Sequence, residues 1–431
     1  MMKSIFYSLA MFVLSGQLVA QNTVDFTEFK QRVLDNSNQL KGSIAERKAL
    51  LEAMKLARTS FFPAIDATGN YQYSLQSASL SLGEVNVPLK RNSYDIEVGI
   101  VQPLYAGGSI RHQYVVSRIQ AEMGEARVEL TTDNVLHEAE VGYWGTVAQK
   151  AMYATMCRYV GIISQLLDVL QERYEDGYIS RTDLVQMETR MKEAELQQSA
   201  SFQSYQLALQ NLNVMMGVPP RTSLEVTDSI FKPQPMPSYV PLEEVLAVRP
   251  DYLLSLLEVQ SQKHQVGLAV SSYNPSLSVG FKEGWGTSSF NVSGKAGFGG
   301  TLFATLRVPV FHWGARFKAK AAQKALLLGK EFALADTFDR VSQELARAWS
   351  NLQENERQLA LAEENKRLAE VNLDLNTYSY NQGSLTILDV LSAQLTWIQA
   401  YTNLIQKHYE QKVFMADYRK VAGLRYQPSD F

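Results

Sequence analysis

The sequence predicts a mixed α+β chain in which a helix–strand–strand–helix unit occurs twice, and three observations carry that prediction. First, the turn-like stretch YEDGYISRTDLV (174–185) returns as YSYNQGSLTILDV (378–390) with the same Tyr-x-x-Gly-x5-Asp skeleton. Tyr174, Gly177 and Asp183 each stand 206 positions before Tyr380, Gly383 and Asp389, and self-similarity at a fixed offset marks repeated architecture. Second, several segments alternate apolar and polar residues with a period of two. Third, two segments of about seventy residues, from about 104 to 174 and from about 311 to 379, contain no proline and little glycine.

Taken in order along the chain, residues 1–20 read as a secretory signal peptide. Lys3 precedes an apolar run from Ile5 to Leu14 that is too short to span a bilayer, and Ala20 offers a small residue at the cut, although Leu18 departs from the ideal pattern. No cysteine follows the cut, which argues against a lipid anchor. Residues 21–216 form the first unit, with strands expected at about 64–76 and 92–102. Residues 250–423 form the second, with strands expected at about 275–285 and 295–308. Between them lies a connector at 217–249. Residues 217 to 250 hold seven of the thirteen prolines, a breaker-rich composition. Residues 424–431 make a short tail.

The copies extend beyond the turns. Pro103 and Gly108 match Pro309 and Gly314 at the same offset, whereas Pro63 matches Pro275 at an offset of 212. The first copy therefore carries a longer insertion between its two strands.

Each strand has two unlike faces. Ile65, Ala67, Tyr71, Tyr73 and Leu75 oppose Asp66, Thr68, Asn70, Gln72 and Ser74, and Tyr94, Ile96, Val98 and Ile100 oppose Ser93, Asp95 and Glu97. The second copy supplies Leu277, Val279 and Phe281, then Phe298, Leu302, Leu306 and Val308. In the long helices, Leu345, Leu352 and Leu359 recur every seven residues and are followed by Leu361, Leu368 and Leu375, the spacing of a coiled-coil seam. A helix of about seventy residues is on the order of 100 Å long.

Composition narrows the function classes. A net charge of −3 and a pI near 6.1 give no reason to expect nucleic acid. Cys157 is the single cysteine, so no internal disulfide forms. The five histidines are scattered and none sits in an HExxH pair, so neither a metal nor another cofactor is expected. The glycine-rich GKAGFGG (294–300) lacks the spacing of a nucleotide loop and reads as small residues easing strand curvature. No nucleophile-and-base arrangement is visible, so the chain is not expected to be an enzyme. No apolar window is long enough for a transmembrane helix, which leaves a β-barrel open.

The amphipathic strands suit either a soluble sandwich or a membrane barrel. Their length is near the roughly 9–11 residues that cross a bilayer obliquely, and Tyr71, Tyr73, Tyr94, Phe281 and Trp285 are candidates for an aromatic girdle. Four strands cannot close a barrel, since outer-membrane barrels start at about eight. Membrane insertion therefore demands assembly. Two copies supply about eight strands and three supply about twelve.

The two turns, the QPLYAGG entry to the first long helix and the RPDYLLSLLEVQ opening of the second copy resemble the TolC-type outer-membrane efflux proteins (outer membrane factors), and the resemblance covers nearly all of the chain after its leader. It implies a homotrimer whose protomers share one transmembrane β-barrel, four strands each, above a long α-helical barrel crossing the periplasm. It further implies contact with outer-membrane lipid, a periplasmic adaptor protein and an inner-membrane pump, for which the trimer is the exit duct in efflux or type I secretion. By position, Asp389 matches an acidic residue ringing a periplasmic gate, and Asp183 and Tyr380 match a pair that holds it closed. Ser392 stands where a second ring aspartate is often found, and Leu385 where a basic partner would sit. Tyr174, Gly177, Gly383 and Leu385 fall on the turns where the adaptor docks.

A plainer role runs beside this. Gly177 and Gly383 suit left-handed helix ends, and Asp183 follows Ser180 at the spacing of a helix cap, so Asp183 is expected to act mainly as a cap. Asp389 is expected to act mainly as a gate carboxylate, because Ile387 is read at the matching box position and excludes a capping box. The alternative function is a periplasmic coiled-coil scaffold or adaptor, which the paired strands argue against. A soluble glycan-binding sandwich is a more distant third.

Overall fold

The computed structural model describes residues 22–76, 79–82, 85–287 and 295–424. The expected leader and all but the first residue of the expected tail lie outside them. The chain opens with a short strand β1 (Asn22–Val24), then helices α1 (Phe26–Asn36) and α2 (Asn38–Thr59). Strand β2 (Ala64–Tyr73), a small hairpin β3 (Ser79–Leu82) and β4 (Val85–Pro88), and β5 (Asn92–Ala106) lead into α3 (Ser109–Glu175) and α4 (Arg181–Met215). After β6 (Leu224–Val226) and α5 (Leu242–Val248) come α6 (Pro250–Ser271), β7 (Ser276–Gly286), β8 (Gly297–Arg307), α7 (Ala315–Asn381) and α8 (Ile387–Ala422). No helix among the described residues is long and apolar enough to cross a membrane.

The long helices α3 and α7 each have 67 residues, which at about 1.5 Å per residue makes them roughly 100 Å long. Each starts from a left-handed glycine, Gly108 at φ 90° and Gly314 at φ 74°. That conformation is cheap only without a Cβ; at Gly108 it lets β5 turn directly into α3, whereas a loop separates β8 from α7.

The four principal strands form one antiparallel sheet in the order β2-β5-β7-β8. Strand β2 stops at Tyr73, short of the expected 76. Strand β5 runs to Ala106, beyond the expected 102, and passes Pro103 through a register irregularity. A proline donates no ladder hydrogen bond, and a bulge accommodates it. The β3–β4 hairpin lies between β2 and β5, where the sequence leads one to expect the longer insertion.

The register sorts the side chains onto two faces. Ile65, Ile100, Phe281 and Leu302 form one cross-strand row, and Ala67 lies opposite Val98 on the same face. Most of these side chains are exposed. The other face is polar: Asn70 donates to Asp95 at 3.0 Å and Lys282 reaches Glu97 at 3.3 Å. Glu283, opposite Val98, and Gln102, opposite Val279, are the polar exceptions on the apolar face.

The interior lies among the helices, in clusters strung along the bundle. One gathers Phe26, Phe29, Tyr143 and Trp144 with β1 and β6, which pair in parallel. A second joins Val245 to Leu345, Leu352 and Tyr418. Near it Arg249 donates to Asp251 at 2.8 and 2.7 Å and to Glu344 at 2.8 Å, so the RPD motif ties the start of α6 to α7.

The seven-residue seam of α7 is present, but the later leucines do not lie on it. Leu345 and Leu352 are buried, but Leu361, Leu368 and Leu375 are 71%, 52% and 61% exposed. The buried stripe keeps the seven-residue spacing in two rows, Val341, Ala348, Asn355, Ala362 and Ala369, and Leu345, Leu352, Leu373 and Tyr380. The two rows are separated by alternating steps of three and four residues, the spacing of a coiled-coil seam. Leu361 and Leu368 each stand one residue before the buried Ala362 and Ala369, which turns them off the seam.

The proline-rich connector is strapped to the bundle. Lys412 donates to the Lys232 carbonyl at 2.9 Å, while the Tyr418 hydroxyl donates to the Ser238 carbonyl and accepts from the Val240 N–H, both at 2.9 Å. Lys412 also lies 4.6 Å over the Trp144 ring. Nearby, Arg419 donates to the buried Glu140 at 3.0 Å. Burial outweighs that attraction and pushes the Glu140 carboxyl up to about 7. Burial likewise lowers the Lys412 ammonium to about 8.

Candidate functional site at the helix turns

The functional residues expected from sequence gather at two places: the sheet, and the far end of the bundle where α3 turns into α4 and α7 into α8. Both turns use the same backbone device. Gly177 has φ 80° and Gly383 has φ 74°. The Tyr178 N–H donates to the Arg173 carbonyl at 2.8 Å and the Gly177 N–H to the Tyr174 carbonyl at 3.0 Å. At the second turn Ser384 donates to Ser379 and Gly383 to Tyr380, both at 2.9 Å. This paired closure satisfies the orphan carbonyls of an ending helix and needs a left-handed residue at the glycine.

The next helix then starts from a capping box in both turns. Asp183 Oδ2 accepts from the Ser180 N–H at 3.2 Å and the Ser180 hydroxyl at 2.8 Å, and the Asp183 N–H donates back to Ser180 Oγ at 3.2 Å. Asp389 Oδ2 accepts from the Thr386 N–H at 3.0 Å and the Thr386 hydroxyl at 2.6 Å, and the same reciprocal box is formed. The expectation that Ile387 excludes a box at Asp389 is therefore corrected. Helix α8 begins at Ile387, so Thr386 is the cap residue and Asp389 stands three residues after it, as Asp183 does after Ser180. Ile387 is the first helical residue and is buried. The Thr386 hydroxyl and then its N–H hold the Asp389 carboxyl below the usual aspartate range. Asp389 stays exposed, with Ser392 exposed one turn further along the helix.

Tyr380 is 5% exposed and its hydroxyl has no hydrogen-bond partner among the described residues. Asp183 spends its bonds on Ser180, so the structure does not join the expected Asp183–Tyr380 pair within one protomer. Arg173 reaches Tyr380 instead. Its guanidinium lies 4.8 Å over the Tyr380 ring, and Nη2 donates to the Asn381 carbonyl at 3.2 Å. A cation at a helix C-terminus is favoured by the helix dipole, and here α3 supplies it to the end of α7. Sequence reasoning missed Arg173. Its place in the last turn of α3 shows in the sequence, but nothing there reveals which helix it caps.

Beneath the turns Tyr174 and Tyr380 join a buried cluster with Leu170, Leu184, Val390 and Trp397. Tyr178, Leu385 and Leu388 are exposed at the tip. A shallow groove runs beside them between the first turns of α4 and α8, lined by Thr182, Val185, Thr189, Arg190, Leu388 and Leu391.

At the sheet, Tyr71 lies opposite Tyr94, and Tyr94 lies 5.5 Å from the Trp285 ring. With Tyr73 they gather at the end of the sheet away from the helices. Phe281 does not join them: it sits opposite Ile100 and Leu302, four residues down β7 from Trp285 and so about 13 Å away. A second aromatic band, absent from the sequence reading, occupies the helix end of the sheet. It comprises the exposed Phe61, Phe62, Tyr105, Phe311 and Trp313. These residues lie outside the alternating runs, where periodicity carries no signal.

Comparison with known proteins gives a consistent picture. The sequence profile of the outer membrane efflux protein family matches residues 30–218 and 242–423. The outer membrane efflux protein BepC of Brucella suis is 21% identical over 408 residues, 94% of this chain and 86% of that protein. Among solved structures, a membrane protein from Pseudomonas aeruginosa superposes with a TM-score of 0.82 at 16% identity, covering 92% of this chain and 90% of that one. The open state of the MtrE outer membrane channel of Neisseria gonorrhoeae gives 0.79 at 16% identity, covering 92% and 88%.

Proposed function

Because the chain belongs to the outer membrane efflux protein family, we propose that three copies share one closed barrel in the outer membrane and carry exported molecules through a helical tunnel from an inner-membrane pump. The protein is an outer-membrane efflux channel that extends into the periplasm. The trimer, the twice-used helix–strand–strand–helix unit and the partners are our reading of how it is built.

The open sheet is the observation that supports this reading. Strands β2 and β8 are edges among the described residues, and the apolar face is exposed. In hydrocarbon an unpaired backbone group costs several kcal/mol, so both edges must find partners. A second and third copy supply them by pairing β8 of one with β2 of the next. The polar face, with Asn70, Asp95, Glu97 and Lys282, then lines the lumen. A coiled-coil scaffold or adaptor gives no account of a sheet that is apolar outside and polar inside.

At the other end the turns face the periplasm, and an adaptor meets the tip formed by Tyr174, Gly177, Gly383 and Leu385. Asp389, once per protomer, forms an acidic ring at the tunnel entrance. Asp183 acts as a cap. Tyr380, under Arg173, sets the spacing of the two turns. Ser392 and Leu385 leave the ring with fewer charges and fewer polar links than the resemblance implies. A ring of carboxylates in a narrow pore attracts cations. Recording from single channels in a planar bilayer tests this: cation selectivity is expected, and Asp389→Asn is expected to reduce it. Selectivity unchanged by the substitution would remove the ring from the account, and the absence of any conductance would remove the channel.

A further inference from the structure

We propose that His112 and His264 form a two-histidine site for a tetrahedral divalent transition-metal ion of the zinc type, at the joint where α3 and α6 meet below the sheet. The inference goes beyond the channel reading and does not depend on it.

The two Nδ1 atoms face each other at 3.3 Å, with ring centroids 5.5 Å apart and planes tilted by 51°. Two imidazole nitrogens bound to one tetrahedral zinc at about 2.0–2.1 Å lie about 3.3–3.4 Å apart. Adjacent ligands of a square-planar or octahedral ion at the same bond length lie only about 2.9 Å apart. The spacing therefore fits tetrahedral geometry.

The joint holds the rings in place. A Cβ at Gly267, one turn after His264, would lie 2.4 Å from the His112 ring, so the bare Cα is the seat on which that imidazole rests. Just above, a Cβ at Gly107 would lie 2.2 Å from the Ser271 carbonyl, and Asn274 donates to the Gly107 carbonyl at 2.8 Å. Just below, Ile119 and Met123 bury against Leu257. Both donors thus stand on helices packed closely above and below the pair, the condition under which a site keeps its geometry.

Both rings are half-buried. No third His, Cys, Asp or Glu joins them among the described residues, so water or an exogenous donor completes the coordination. Arg118 and Arg111 bring positive charge to bear on His264, which works against a bound cation. A bound ion would staple the start of α3 to the end of α6.

The test uses the untagged full chain, purified in detergent and stripped with chelator. Zinc(II) is titrated by calorimetry, and cobalt(II) serves as the optical probe of tetrahedral coordination. The expected result is about one saturable ion per chain, with a melting temperature raised by zinc. His112→Gln and His264→Gln should each weaken binding at least about tenfold and abolish the thermal shift. His312→Gln, in the loop before α7, should do neither. If the unsubstituted chain shows no saturable binding, or binds equally well after both substitutions, the pair is an N–H···N hydrogen bond and the proposal fails. That outcome can be read on the unsubstituted protein alone, so it does not depend on a variant folding. An octahedral cobalt spectrum would likewise overturn the assigned geometry.

Discussion

The two ends of this molecule treat apolar side chains in opposite ways. At the helix turns, Tyr380, Ile387, Val390 and Trp397 are buried, and water meets caps and charged residues, with Tyr178, Leu385 and Leu388 the exposed exceptions at the tip. At the sheet, Ile65, Ile100, Phe281 and Leu302 are exposed while polar residues pair on the other face. One chain is therefore built for two solvents. The turn end has the order of a protein in water, apolar within and polar outside. The sheet end has the order of a wall with hydrocarbon outside and water within.

The largest test of that contrast places one charge on each face of the sheet. Leu302→Arg, in the middle of β8, should cost about 2–4 kcal/mol in folding into lipid vesicles. Thr68→Arg, opposite Glu97 on the polar face, should leave folding into vesicles close to that of the unsubstituted chain. Equal tolerance of both charges would mean that the two faces meet the same solvent.

An effect of similar size is expected inside the bundle. Burial raises the Glu140 carboxyl to about 7 from its ordinary 4.5, so the folded chain holds this proton more tightly than the unfolded one. The contribution is complete below the unfolded value and is lost as pH rises from 4.5 to 7, in all about 3 kcal/mol. Glu140→Gln removes the titration, whatever constant offset follows from losing the Arg419 ion pair. Its stability relative to the unsubstituted chain should rise across that window in thermal melts. A pH-independent difference would contradict a buried, titrating Glu140.

The turns themselves sharpen the comparison at lower energies. Gly177→Ala and Gly383→Ala should each cost about 1 kcal/mol. The two costs should be similar, because nothing lies within 4 Å of either added Cβ and only the left-handed backbone objects. Denaturant melts showing one glycine to be dispensable would separate turns that look alike. Smallest of all, Tyr380→Phe should change stability by less than about 1 kcal/mol, because the lost hydroxyl is unpartnered within the protomer. A marked change in channel open probability would instead reveal a partner on a neighbouring copy.

Much of this was legible in the sequence, for definite physical reasons. The strands announce themselves because a sheet with unlike faces must alternate with period two, as Ile65 to Tyr73 do. The long helices show because proline and glycine are missing over some seventy residues. The turns show because only glycine takes the left-handed position at 177 and 383 cheaply. What was lost depends on a register or a partner. The Thr386 box was within reach, since Thr386 stands 206 residues after Ser180, but it was hidden by counting the cap from the first helical residue. The α7 seam keeps its seven-residue spacing through Asn355, Ala362 and Ala369, and a leucine count cannot follow small or polar residues into a contact. Phe281 looked like a girdle residue because its type fits, while its depth follows only from pairing with Ile100 and Leu302. Arg173 acts across helices that lie far apart in the chain.

The central claim is that this open sheet is one third of a shared wall. Electron microscopy of the detergent-extracted protein, scored for rotational symmetry and length, tests it most directly. The account predicts a threefold particle with a closed barrel above a helical shaft, the long helices alone adding about 100 Å. A compact, twofold or monomeric particle that stays soluble without detergent would contradict it.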